Sequence, residues 1–223
     1  MMAIPAWLEV LSRAWLILAG ATALGIGVDI VRGRRQPMRI MEVVWPVTAL
    51  YFGPAVLAFY GRFGRAATAG EHSPAPKSYW QSVFVSSSHC GAGCTLGDIL
   101  ADVLIAVFGI AVVPSALGTS YILDFSAAYA LGILFQYLPI RAMGERSRTK
   151  ALWSAIKADT LSLIAFEIGL FGWMALARLV WFPGLEADTA LFWFMMQIGM
   201  VIGFATTYPA NWWLVKIGIK HGM

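Results

Sequence analysis

Charged residues in this chain cluster between long uncharged apolar runs, the pattern of a polytopic helical membrane protein. Six segments follow. The first covers residues 7–31; its uncharged core, 14–28, lies between Arg13 and Asp29, and Gly20, Gly25 and Gly27 offer close helix approach. It ends in a basic breaker at 32–39. The second, 43–61, carries no charge but contains Pro46 and Gly53-Pro54, so a kink or break is expected. A polar loop at 62–78, with Arg65, His72, Pro74, Pro76 and Lys77, is the longest connection.

The third segment covers 79–114 and is purely apolar from Val103 onward. Residues 114–123 read as a short neutral loop, with Tyr121 as an interfacial anchor. The fourth covers 124–140, with small residues Ser126, Ala127, Ala130 and Gly132 and the amide of Gln136. Arg141, Arg146, Arg148 and Lys150 follow. The fifth covers 150–182, ends at Pro183-Gly184 and leads into an acidic turn with Glu186 and Asp188. The sixth, 191–215, has no charge. It holds Met195, Met196, Gln197, Met200, a Gly199-x-x-x-Gly203 pair, Pro209 and Asn211, and it ends in a basic tail of Lys216, Lys220 and His221.

Composition supports this pattern. Of 223 residues, 59% are hydrophobic and 13% charged, against about a quarter charged in soluble domains. Mean hydropathy is +0.71. The expected fold is all-α, a polytopic transmembrane bundle of about six segments in a lipid bilayer, with no separate soluble domain. Two parts are expected: an N-terminal pair of segments with basic loops over 1–78, and a four-helix core over 79–223. No basic helix or aromatic-basic platform supports a nucleic-acid partner. No cleavable signal is evident, so the first segment reads as a retained anchor.

The net charge of +4 comes mostly from the short inter-segment stretches and reports topology. The 141–150 loop and the basic tail belong on the cytoplasmic side, and the neutral 114–123 loop and the acidic turn outside. The first two segments conflict with the charge rule. Both 32–39 and 62–77 are basic, yet a full span would separate them. Either the second segment is a re-entrant hairpin, or 32–39 sits outside. Six full spans with both ends inside is the simpler count and the expected one.

Candidate chemistry centres on residues 86–98, which hold both cysteines and His89. On a helix, Cys90, Cys94, Asp98 and Asp102 fall at successive i+4 positions and form one polar stripe. A disulfide needs Cβ atoms about 3.5–4.5 Å apart, which i,i+4 spacing serves poorly, so the thiols are expected free. Ser86 to Ser88 read as N-caps of a helix starting nearby, whose dipole would favour thiolates. Two thiolates and an imidazole suit copper(I) or zinc(II), with His89, Cys90, Cys94 and Asp98 as ligands. The competing reading is a pair of buried small hydrophobes.

Ionisable groups in a membrane helix cost about 2.5–3.5 kcal/mol each at its centre. Asp102, Asp159 and Glu167 are therefore candidates for an inner acidic path. Lys157, Gln136, Gln197 and Asn211 are candidate polar support. The plainer alternative is a satisfied polar network that sets helix register. Met195, Met196 and Met200 read as packing before relay. His72 and His221 read as solvated. Gly199 and Gly203 mark tight packing and a candidate homo-oligomer contact.

The run His89-Cys90-Gly91-Ala92-Gly93-Cys94-Thr95-Leu96-Gly97-Asp98 resembles the hallmark of a bacterial integral-membrane family catalogued as a domain of unknown function. Gly132-x-x-x-Gln136-Tyr137, Lys157-Ala158-Asp159-x-Leu161-Ser162-Leu163 and Phe166-Glu167-x-Gly169 are similar to it as well. So are residues 192–197 and the stretch from Tyr208-Pro209-x-Asn211-Trp212 to Gly218-Ile219-Lys220. The likeness spans about residues 78–223. It implies a multi-pass protein of the bacterial inner membrane and an association with copper handling, and it brings no settled activity.

The leading expectation is a membrane protein that binds and handles or transports a soft metal ion, copper or zinc. One alternative is a membrane enzyme using a thiolate or metal on a lipid-like substrate, marked by a lateral opening lined with aromatics beside Cys90. Another is a non-catalytic subunit, marked by internally paired carboxylates, no cavity and a large apolar face.

Overall fold

The computed structural model describes residues 4–67 and 76–220; His72, Pro74 and His221 lie outside them. Among the described residues all regular structure is helical: α1 (Ala6–Val31), α2 (Met41–Phe52), α3 (Val56–Phe59), α4 (Tyr79–Phe108), α5 (Ala116–Ala142), α6 (Arg148–Leu176) and α7 (Ala190–Lys216). Wide turns continue α3 through Gly64 and α6 through Trp181. Six helical stretches are long and apolar enough to cross a membrane, Met41–Gly64 among them.

That stretch is not a straight crossing. Gly53 takes φ +57°, a left-handed conformation that interrupts the helix before Pro54. The chain then turns through Gly53–Ala55 and runs back. The Trp45 ring therefore meets Tyr60 at 5.4 Å and Phe63 at 6.4 Å, residues that a straight helix would place about 22 and about 27 Å from Trp45. Asp29 pairs with Arg65 at 2.6 Å and accepts from Tyr60 at 2.9 Å, so the end of α1 and the end of the hairpin share one face.

The expectation of six full spans is thus corrected. All six expected apolar segments are present, but the second folds back on itself: α2 and α3 form a hairpin, while the other five have no such reversal. The physical reason is the paired break at Gly53-Pro54, together with the charge rule it satisfies. The basic stretches 32–39, 62–65, 141–150 and 216–220 now all lie at one face. The acidic turn at Glu186 and Asp188 lies at the other.

Irregular backbone at membrane depth must be satisfied inside the protein. Pro54 has no N–H for the Leu50 carbonyl, and the Gln197 amide donates to that carbonyl from α7. Phe52, Phe59, Phe63, Phe84 and Phe204 pack around the hairpin, with Phe59 stacked on Phe84 at 4.3 Å.

Helix α4 is central. It packs on α5 over most of its length and also meets α2, α6 and α7. The α4–α5 seam is built from glycine. A Cβ on Gly93 would lie 2.8 Å from the Gly132 Cα, and Gly97 rests on the Ala127–Ala128 backbone. Helices α6 and α7 form the second seam, where Gly199 abuts Leu170 and Gly203 abuts the Phe166 carbonyl. That glycine pair is used within the chain. Gly20, Gly25 and Gly27 face open space, contrary to the close approach expected of them. Helix α1 buries only a narrow stripe, including Ser12, Ala19, Ile26 and Ile30, against α2 and α7.

Candidate functional site

The central helix begins earlier than its polar stripe. Ser78 and Gln81 form a capping box, which places Cys90 about three turns inside α4. Ser86 to Ser88 are therefore buried mid-helix residues and not N-caps, and the thiols gain nothing from the helix start, whose field fades within a turn. Both cysteines are free and fully buried.

From the basic face inward, the polar side chains form a continuous line. Lys220, from the turn after α7, reaches Asp159 of α6 at 3.0 Å and the Ser162 hydroxyl at 3.3 Å. The Cys90 thiol donates to the same Ser162 hydroxyl at 3.5 Å. His89 is enclosed beside the Phe135 ring, 6.0 Å between centroids, where the charges of Lys220 and Asp159 act on it. The Gln136 carbonyl and the Asn211 carbonyl are buried at this end, while Asn211 donates its amide to Thr207.

One turn further along α4 stands the Cys94 thiol, with Glu167 of α6 at the same level. The geometry leaves both Glu167 oxygens without a formal hydrogen bond. The tip of the re-entrant hairpin brings the Tyr51 hydroxyl to this level, 3.0 Å from where a Cβ on Gly91 would lie. Asp98 follows, fully buried, with no hydrogen-bond partner on either oxygen; the carboxyl groups of Glu167, Asp124 and Asp102 lie around it.

The line ends near the acidic face. Asp102, Asp124, Ser120 and Arg178 surround a void of about 10 Å³, near the smallest that holds one water. Arg178 donates to Ser120 at 3.2 Å and lies over the Phe192 ring. From Asp159 to Arg178 the α6 rise is about 28 Å, close to the thickness of a bilayer's hydrocarbon core.

A cavity opens at each end. At the acidic face one of about 410 Å³ is lined by Asp102, Ser120, Arg178, Glu186 and Asp188. At the basic face one of about 520 Å³ is lined by Gln136, Glu145, Ala158, Gly218 and Ile219.

Asp98, Asp102, Asp159 and Glu167 all lie on this line. Lys157 does not: it is exposed and sits over Trp153 at 5.2 Å. Gln197 serves the hairpin, as described above. Met195, Met196 and Met200 are buried in the apolar core. Among the described residues, no three His, Cys, Asp or Glu side chains converge in a way that could hold a metal ion.

Three further groups lie on this line: Asp124, Arg178 and Lys220. By sequence Asp124 opens the fourth segment, but α5 begins at Ala116 under a Ser115 cap and buries it two turns inside. The neutral stretch 116–123 was the available signal. Arg178 stands alone in an apolar run, which marks it as a group with an internal partner. Lys220 carried no local signal, because its burial depends on the turn at Gly218.

The chain belongs to the family described as a domain of unknown function, DUF4396, whose model matches residues 79–220. That region is the four-helix part with the polar line, and it excludes α1 and the hairpin. No curated protein and no solved structure matches the chain.

Proposed function

We propose that this protein passes cations across the membrane along the polar line between its two cavities, with protons moving through its carboxyl groups. One observation carries this reading: Asp98, Asp124 and Glu167 are buried with unpartnered oxygens, in line between cavities at opposite ends. Of these and Asp102, only Asp102 and Asp124 lie beside a guanidinium, that of Arg178. Four enclosed carboxyl groups cannot all hold full negative charge against one cation, so protons or a bound cation balance them. Groups that must take up and release cations at membrane depth are the ordinary parts of a transport path. The same observation weighs against a purely structural subunit, for which paired carboxylates and no cavity were expected. It also weighs against a thiol enzyme, since Cys90 is wholly enclosed.

The test is purified protein in liposomes loaded with a pH-sensitive dye, driven by a potassium diffusion potential. Protein-dependent proton entry that falls at least tenfold in Glu167→Gln and in Asp98→Asn is the expected result. Flux no faster than in empty liposomes, with folded protein present, overturns the reading.

The two free, buried thiols of Cys90 and Cys94, one turn apart on α4, favour a second reading, in which the cation is a soft metal. Two thiolates suffice for copper(I), whereas zinc(II) takes four ligands. Copper bound one to one in native protein and lost in Cys90→Ser with Cys94→Ser, measured by mass spectrometry, supports it. No binding after copper(I) titration removes it.

A further inference from the structure

The inner end of the polar line is closed by the chain itself. After α7 the backbone turns at Gly218, at φ +76°, and the Ile219 and Lys220 amides both donate to the Leu214 carbonyl. This turn carries the Lys220 side chain inward until none of it is exposed. Its ammonium rests on one oxygen of Asp159 and on Ser162, beside the Cys90 thiol that shares the Ser162 hydroxyl. The second Asp159 oxygen and both His89 nitrogens remain unpartnered around it. Gly218 and Ile219, the residues that hold the lysine in place, form one wall of the cavity at the basic face. Ala158, the chain neighbour of Asp159, lines the same cavity.

We infer that Asp159 and Ser162 form a binding site for a monovalent ammonium-type cation, now filled by the tethered ammonium of Lys220, and that residues 217–220 swing out to open it. The site has what such a cation needs: one carboxylate to balance its charge, a hydroxyl acceptor, and enclosure that excludes competing anions. A lysine on a short turn, as opposed to one anchored within a helix, can leave without unwinding a crossing helix. Burial works against the Lys220 ammonium, but the Asp159 charge and the hydrogen bond to Asp159 outweigh it, so its pKa is raised and it stays charged while docked. The role of this site as inner gate rests on the transport reading above; the site itself does not.

The experiment reads Cys90 and not flux. The chain has two cysteines, so Cys94→Ser leaves Cys90 as the only thiol. In detergent, this protein and its Lys220→Ala derivative are treated with two methanethiosulfonates, one bearing an ammonium and one a sulfonate. In the parent both should react slowly. In Lys220→Ala the ammonium reagent should modify Cys90 at least tenfold faster, and the sulfonate reagent should gain far less. n-Propylammonium chloride should restore protection, where sodium chloride at equal strength should not.

Equal rates for the two reagents, or no acceleration in folded Lys220→Ala, overturns the site. If Lys220→Ala does not fold, Gly218→Ala decides. A Cβ at Gly218 meets nothing within 4 Å, so this change strains only the turn and leaves lysine and carboxylate in place. It should accelerate modification several-fold, and no change overturns the proposal. A positive result here with no proton flux in liposomes would sink the transport reading alone.

Discussion

Gly93→Ala tests the core of this structure most directly. Gly93 of α4 faces Gly132 of α5, and an added Cβ would lie 2.8 Å from the Gly132 Cα and 3.1 Å from its nitrogen. Ordinary carbon contacts are about 3.5–4.0 Å, so the helices would have to part by about 1 Å. Neither can retreat easily. Behind Gly132 stand Asp159 and Leu163 of α6, each 2.9 Å from where its own Cβ would be. The three helices form a stack in which backbone of α5 obstructs Gly93, and buried side chains of α6 stand behind that backbone. Overpacking costs about 1–3 kcal/mol, and a backbone obstacle puts this change at the upper end. For a chain of this size each kcal/mol shifts the midpoint by about 2–4 °C, so a drop of about 4–12 °C is expected. The buried thiols supply the assay: a maleimide dye reports their exposure as the protein is heated. Gly20→Ala, which meets nothing within 4 Å, is the control and should melt no lower than the native chain. A Gly93→Ala midpoint within about 1 °C of native would refute the close α4–α5 approach.

Other perturbations probe other levels. Asp159→Asn leaves the Lys220 ammonium buried without its counter-charge and should cost about 3–5 kcal/mol; adding Lys220→Met should recover most of the lost midpoint. Gln197→Leu orphans the Leu50 carbonyl at the hairpin break and should cost about 1–3 kcal/mol in the same melt. The Lys220 pKa is raised in the folded state above its ordinary 10.5. Its contribution is therefore fully present below about pH 10.5 and lost as pH rises through the folded value. The midpoint should fall above that pH by more in the native chain than in Lys220→Met. For topology, single cysteines at Gln36 and Met143, in a Cys90→Ser, Cys94→Ser background, should be labelled from the same side of the membrane. Labelling from opposite sides would refute the re-entrant hairpin.

Much of the fold was legible along the chain. Six helical stretches follow from runs of about twenty apolar residues, because the bilayer demands that length and sequence order supplies it. The break at Gly53-Pro54 and the conflict between two basic loops were both visible. Only the folded chain decided between them, through the contact of Trp45 with Tyr60 and of Asp29 with Arg65.

The candidate site divides in the same way. The i+4 spacing alone aligned Cys90, Cys94, Asp98 and Asp102, since a helix repeats its faces locally. Which groups face that stripe was a matter of packing between elements far apart in sequence. Glu167 stands level with Cys94, Asp124 lies near Asp98, and Lys220 enters from a turn after the last helix to take Asp159, while Lys157, two residues from Asp159, points away. Local periodicity determines a helix and its faces; the partner of a buried charge is chosen by glycine seams, a proline break and a left-handed turn acting together, and these meet only in three dimensions.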